Sequence, residues 1–167
     1  MRLTRVLAIW FGAGLLRPAP GTWGSLVAVI MALLIDRYFG FPVLLVATIA
    51  VTALGFWAVG VELRDTPSAD PSEFVIDEVA GQWIALLFSS AAFWARGHEG
   101  FLPYPAPIAA FLFFRLFDIW KPWLVGRADR RHDPAGVMLD DLWAGLFAGL
   151  ATIVAAAAYH IPLILMR

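Results

Sequence analysis

The chain has no cysteine in its 167 residues. That excludes a thiol nucleophile, a thiolate metal site and a disulfide. Charge is scarce as well: 15% of residues are Asp, Glu, Lys or Arg, and the formal net charge is −1. Such a balance supplies no basic field for nucleic acid, so no nucleic-acid partner is expected. The three histidines, His98, His132 and His160, lie too far apart for a paired metal-ligand spacing, and none is assigned a role. A GxxxxGK[ST] phosphate loop is missing too, and no internal repeat is evident.

Apolar residues are abundant. They make up 61% of the chain, against roughly 45–50% in soluble domains, and the mean hydropathy is +0.78. A soluble fold of this length would struggle to cover its surface. The length suits a single domain, 1–167. The apolar runs cover residues 23–35 (continuing toward 39), 41–61, 79–95, 101–119 and 142–165. A bilayer crossing needs roughly 20 residues. None of the runs alternates with period two, and lipid does not tolerate open strand edges. The expected fold is all-α: a polytopic membrane bundle of four or five embedded helices. Residues 1–16 are read as a short interfacial or buried N-terminal helix.

With five crossings and a cytoplasmic start, the inner pieces are 1–22, 62–78 and 120–141. They hold Arg2, Arg5, Arg17, Arg64, Lys121, Arg127, Arg130 and Arg131, whereas the outer pieces hold Arg37, Arg96 and Arg167. This is the bias of the positive-inside rule. The polar segment 62–73 is expected to be a flexible loop or a short surface helix. The eight tryptophans suit interface belts and helix packing.

The same count gathers the acids at one face. Asp77-Glu78 and Asp140-Asp141 each precede an apolar run, and Gly81 and Gly145 stand four residues beyond Asp77 and Asp141. Small residues let helices approach closely. Two such helix starts brought together would place up to four carboxylates in one small volume, which requires a cation. Hard oxygen ligands suit Mg²⁺. The plainer alternative is that the acids complement helix dipoles.

Other residues complete a candidate site. In Pro18-Ala19-Pro20-Gly21-Thr22-Trp23-Gly24-Ser25 the prolines end any preceding helix, and Thr22 or Ser25 is expected to cap the next one. Free N–H groups at that start suit a phosphate. Arg115, Asp118 and Lys121 follow an i, i+3, i+6 spacing, with Pro122 ending the helix nearby. Either Arg115 and Asp118 neutralise each other while Lys121 reaches the interface, or Asp118 serves the metal or a water while Arg115 and Lys121 hold phosphate oxygens. In the charged loop 129–133, Arg130 and Arg131 are placed to meet anionic headgroups.

Four segments, in order, resemble one family. They are Pro20-Gly-Thr-Trp-Gly-Ser-Leu26, Asp77-Glu-Val-Ala-Gly81, Phe114-Arg-Leu-Phe-Asp-Ile-Trp-Lys-Pro-Trp123 and Gly136-Val-Met-Leu-Asp-Asp-Leu-Trp-Ala-Gly145. Together they look like phosphatidylglycerophosphatase A, a bacterial membrane lipid phosphatase. The resemblance implies Mg²⁺-dependent hydrolysis of the terminal phosphate of phosphatidylglycerophosphate at the cytoplasmic face of the inner membrane. On that basis Asp77, Glu78, Asp140 and Asp141 are the expected metal ligands. Asp118, Asp141, Arg115 and Lys121 are the expected catalytic residues, and Gly21, Thr22, Gly24, Ser25 and Arg130 the expected substrate contacts. Another lipid-headgroup phosphatase, a phosphotransferase or a small cation-coupled transporter are the alternatives; oligomeric state is left open.

Overall fold

The structure, a computed structural model, describes residues 2–65, 71–131 and 133–165, with side chains described from 72 and up to 159. Residues 66–70 of the polar segment, His132 and the side chain of His160 lie outside the described residues. Among the described residues there are six α-helices: α1 (Leu3–Ala8), α2 (Pro20–Asp65), α3 (Ile76–Trp94), α4 (Ala106–Trp120), α5 (Trp123–Asp129) and α6 (Pro134–Leu165). Short 3-10 turns at Trp10–Leu15 and Pro71–Glu73 precede α2 and α3. The protein is an all-α bundle with a short N-terminal helix, as expected. Two of its helical stretches, Pro20–Asp65 and Pro134–Tyr159, are long and apolar enough to cross a membrane.

The 46-residue α2 is two arms joined at Gly40, whose backbone (φ 77°, ψ 176°) is not helical. A positive φ is what glycine adopts without a Cβ penalty, and Pro42 then restarts the helix. Cross-contacts fix the path. In the first arm, Ala28 accepts a 2.8 Å hydrogen bond from the Trp83 indole, and Asp36 accepts one from Ser90. The second arm returns, with Phe41 against Trp94 and Gly55 against Ile76 and Met138. The apolar runs 23–39 and 41–61 are thus a helical hairpin closed by one residue. The two arms, α3, α4 and α6 alternate in direction.

In hydrocarbon there is no water to expel, so helices associate through close packing and buried hydrogen bonds. The core accordingly contains many small residues: Ala28, Ala32, Ala58, Ala80, Ala85, Ala110, Ala144 and Ala148 are all buried. Larger apolar side chains such as Ile30, Ile49, Leu112 and Val154 point outward. Exposed aromatics collect at both ends, with Trp57, Trp120 and Trp123 at one and Tyr38, Trp94, Tyr104 and Tyr159 at the other. This is the distribution that two water–lipid interfaces select.

The chain's start docks at the end where α3 and α6 begin. Thr4 donates to buried Glu62, at 2.5 Å. Arg5 pairs with Glu73 and lies over the Phe74 ring, and Val75 N–H donates to Ala8 C=O at 2.9 Å. These bonds satisfy buried polar groups and brace the turn that leads into Asp77.

Candidate active site

Two glycines decide where the acids meet. A Cβ built on Gly145 would lie 2.8 Å from the Gly81 carbonyl carbon, and one built on Gly81 would lie 2.7 Å from Phe114. Only a bare backbone permits this approach, so α3 and α6 cross in contact at Gly81 and Gly145. One turn before the crossing, Asp77, Glu78 and Asp141 each offer a carboxylate oxygen, and these oxygens lie within 4.8 Å of one another. Asp77 and Asp141 are buried.

The electrostatics differ from ordinary helix capping. Asp77 and Glu78 are in the first turn of α3, but α6 begins at Pro134. Asp140 and Asp141 therefore lie in the second turn, beyond the range where a helix N-terminus stabilises an acid. The expectation that this pair opens its helix is corrected: Asp133 occupies the cap, accepting the Gly136 N–H at 2.6 Å. Among the described residues, Glu78 Oε2 and Asp141 Oδ1 are buried with no hydrogen-bond partner. Crowded carboxylates with unused oxygens are unfavourable alone. A hard divalent cation fits this donor set.

Basic groups surround the cluster. Arg115 pairs with Asp118 at 2.5 Å, and its Nη1 is 3.4 Å from Ser25 Oγ. Lys121 takes a left-handed backbone (φ 50°, ψ 54°) that ends α4. Its ammonium bridges Asp140, at 2.9 Å, and Asp129. Burial alone would lower the Lys121 pKa, but hydrogen bonds to Asp129 and Asp140 outweigh it and hold the amine above its ordinary value. Beside these groups a cavity of about 380 Å³ is lined by Leu63, Asp77, Asp129, Asp133, Gly136, Val137 and Asp140.

Comparisons with known proteins bear directly on this arrangement. The model of the family described as PgpA, phosphatidylglycerophosphatase A, matches residues 6–156. The chain belongs to the phosphatidylglycerophosphatase A family. It is 33% identical to phosphatidylglycerophosphatase A of Haemophilus influenzae over 86% of this chain and 82% of that protein. It is 32% identical to phosphatidylglycerophosphatase A of Escherichia coli over 95% of this chain and 85% of that protein. A Bacteroides thetaiotaomicron protein named "Putative phosphatidylinositol-3-phosphatase" is 36% identical over 87% of this chain and 88% of its own length. No solved structure matches the chain. Membership in this family supports a phosphatase acting on a membrane phospholipid. With the apolar helices, it makes the chain a membrane-associated bacterial protein.

The family segments converge in space. Gly21 faces Glu78 and Arg115: a Cβ there would lie 3.2 Å from Glu78 Cδ and 3.4 Å from Arg115 Nη1. Gly24 is pressed on Val75 in the same way, at 2.7 Å from its Cβ. Thr22 is half-buried in the first turn of α2. Neither Thr22 nor Ser25 caps that helix, because it already begins at Pro20; Ser25 Oγ instead donates back to Gly21 C=O at 2.7 Å. Proline at the first helical position needs no N–H partner. Arg130 is exposed at the end of α5, with Nη1 over Gly126.

Sequence reasoning missed two features. In the sequence Asp129 and Asp133 look like loop charges, yet both line the cavity beside Asp77 and Asp140. The other is Gln82, which is fully buried and has no partner for either amide atom among the described residues. Its signal was present: a carboxamide inside an apolar run, four residues after Glu78.

Proposed function

We propose that the protein hydrolyses the terminal phosphate monoester of phosphatidylglycerophosphate, releasing phosphatidylglycerol and inorganic phosphate, with Mg²⁺ as cofactor. The observation that supports this most is the buried Asp77–Glu78–Asp141 cluster, with an unused oxygen on Asp141, in a chain of this family. Asp77, Glu78 and Asp141 would hold the cation, and Asp140, clamped by Lys121, would hold its bound water. When bound, Mg²⁺ polarises the phosphoryl group and offsets its charge.

The protein's own groups do the remaining work. Arg115 presents its guanidinium to the phosphoryl oxygens, and Gly21 lets the phosphate approach the free N–H groups at the start of α2. Thr22, Gly24 and Ser25 shape that turn, and Arg130 draws anionic headgroups to the surface. Asp118, steadied by Arg115, orients the attacking water and accepts its proton. The water oxygen forms the new bond to phosphorus, the ester bond to the glycerol oxygen breaks, that oxygen takes a proton from bulk water as the alcohol leaves, and Asp118 returns its own proton to solvent. Lys121 keeps Asp140 ionised and in place.

In this reading the two α2 arms, α3, α4 and α6 cross the bacterial inner membrane five times. The site then opens at the cytoplasmic face, and the acyl chains of the substrate stay in lipid. A second reading is favoured by the Bacteroides relative, whose name denotes a phosphoinositide substrate. Both lipids present a phosphate monoester on a hydroxylated headgroup.

Phosphate release from purified protein in detergent separates these readings. Each lipid is offered with Mg²⁺ and with EDTA, beside Asp141→Asn. Metal-dependent release from phosphatidylglycerophosphate, lost in the variant, supports the proposal. Release from phosphatidylinositol 3-phosphate alone moves the substrate to the second reading, and release from neither overturns lipid phosphatase activity.

A further inference from the structure

The chain has no asparagine and a single glutamine. That glutamine, Gln82, is fully buried in the bundle. It stands on α3 four residues after Glu78, so the two side chains leave the same helix face one turn apart. A buried amide without partners is destabilising, and methionine would fill similar space without that penalty. Retaining a carboxamide here calls for a partner.

The unpaired buried atoms supply one. Among the described residues, the buried side-chain atoms without a hydrogen bond are Glu78 Oε2, Gln82 Nε2, Gln82 Oε1, Arg115 Nε and Asp141 Oδ1. With Asp141 Oδ1 given to the cation, the other four balance. Gln82 Nε2 and Arg115 Nε only donate, whereas Gln82 Oε1 and Glu78 Oε2 only accept. Glu78 and Arg115 already flank one point: a Cβ built on Gly21 would meet the Glu78 carboxylate and Arg115 Nη1, which leaves Glu78 Oε2 and Arg115 Nε for another partner. The Gln82 amide has one donor for the first and one acceptor for the second.

We propose that Gln82 is a positioning residue of this site, joining Glu78 to Arg115 when the site is loaded. Its Nε2 donates to the Glu78 oxygen that does not face the cation, and its Oε1 accepts from Arg115 Nε. The amide thereby sets which Glu78 oxygen is presented to the metal, and it turns the Arg115 Nη fork toward the phosphate. This rests on the roles of Glu78 and Arg115 given above. Partners that orient a metal ligand in this way are commonly worth 10–100-fold in metal affinity or activity.

Because Gln82 is the sole carboxamide, its side-chain NH₂ gives one resolved pair in a ¹H–¹⁵N spectrum of the labelled protein. Saturating Mg²⁺ shifts that pair in the wild-type chain. In Gln82→Met, Mn²⁺ affinity measured by electron paramagnetic resonance falls about 10-fold, kcat for phosphate release falls about 10-fold, and thermal stability is unchanged or higher. The proposal is overturned if the carboxamide pair stays fixed while the Gly81 backbone amide responds to Mg²⁺. It is equally overturned if Gln82→Met keeps Mn²⁺ affinity and kcat within about two-fold of wild type. A variant that does not fold leaves the wild-type spectrum to decide. Should wild type bind Mn²⁺ and move its carboxamide yet release no phosphate from any lipid, the substrate assignment fails and the role of Gln82 stands.

Discussion

Gly145 rests directly on Gly81, so near that a Cβ on Gly145 would come within 2.8 Å of the Gly81 carbonyl carbon and 2.9 Å of its Cα. The neighbour is backbone and has no rotamer by which to yield. Gly145→Ala is therefore expected to destabilise the bundle by about 1–3 kcal/mol, as overpacking does, and to lower activity by parting Asp77 from Asp141. Gly60, in the second arm of α2, has nothing within 4 Å of a built Cβ. Gly60→Ala is expected to gain about 0.5–1 kcal/mol with unchanged activity. Thermal melts in detergent and phosphate release check both variants, and equal effects would sink the packing argument.

Removing a ligand at the acid cluster should cost more than removing a supporting residue. Since supporting partners are worth 10–100-fold, Glu78→Gln and Asp141→Asn are each expected to lower phosphate release by at least about 100-fold. EDTA should abolish release from wild type, and added Mg²⁺ should restore it. Each substitution also relieves charge crowding, so neither variant should melt lower than wild type without metal. A lower melting temperature in EDTA would contradict a cluster built for a cation.

Lys121 bridges Asp140 on α6 and Asp129 on α5. Lys121→Met leaves both carboxylates without their cation; exposed Asp129 contributes little, but Asp140 is buried, and leaving it unpaired is expected to cost about 3 kcal/mol. The pH dependence has a definite sign. The Lys121 pKa is raised in the folded protein, so its contribution is fully present below the ordinary lysine value and is lost as pH rises through the raised one. The difference in melting temperature between wild type and variant should be constant from pH 6 to pH 9. A gap that closes in that interval would exclude the bridge.

Asp133 behaves in the opposite sense. Its pairing with Arg131, at 2.9 Å, and the Gly136 N–H bond hold its carboxyl below the ordinary value. That stability is present above the ordinary aspartate value and is lost as pH falls through the lowered one. Asp133→Asn keeps a capping oxygen but loses the ion pair. It should melt slightly below wild type at pH 7, and the two should converge when acidified below about pH 4. Melts across that range test the assignment.

The absence of cysteine allows a clean test of orientation. Arg64 is exposed at the end of the bundle that holds the acids, and Glu99 is exposed at the other. With the site cytoplasmic, Glu99→Cys in intact cells should react with a membrane-impermeant maleimide. Arg64→Cys should react only after the membrane is opened. The reverse pattern would invert the proposed topology.

Much of this protein was legible in its order of residues. Runs such as 41–61 and 79–95 read as helices because lipid leaves the backbone no other way to satisfy itself. The acids beside Gly81 and Gly145 read as a meeting point, because glycine at the i+4 position is what a close crossing needs. The end of α4 before Pro122 was visible for a similarly local reason. The boundary of α6 was not visible in this way. Residues 134–139 follow a charged loop and open on Pro134 and Gly136, so they look like loop, yet they form the first turn and a half of the helix because packing on α5 supports them, and so Asp140 and Asp141 belong to its second turn.

By itself, then, the sequence determined an all-helical apolar chain, the family, and which acids and bases cluster at one end. Those follow from periodicity, hydropathy and local spacing. Only the tertiary structure decided that Gly55 of the returning arm meets Ile76 and Met138, that Lys121 joins Asp140 to Asp129, and that the Trp83 indole finds the Ala28 carbonyl. Each of these depends on residues far apart in the chain becoming neighbours, and a donor's partner is set by that proximity rather than by its place in the sequence.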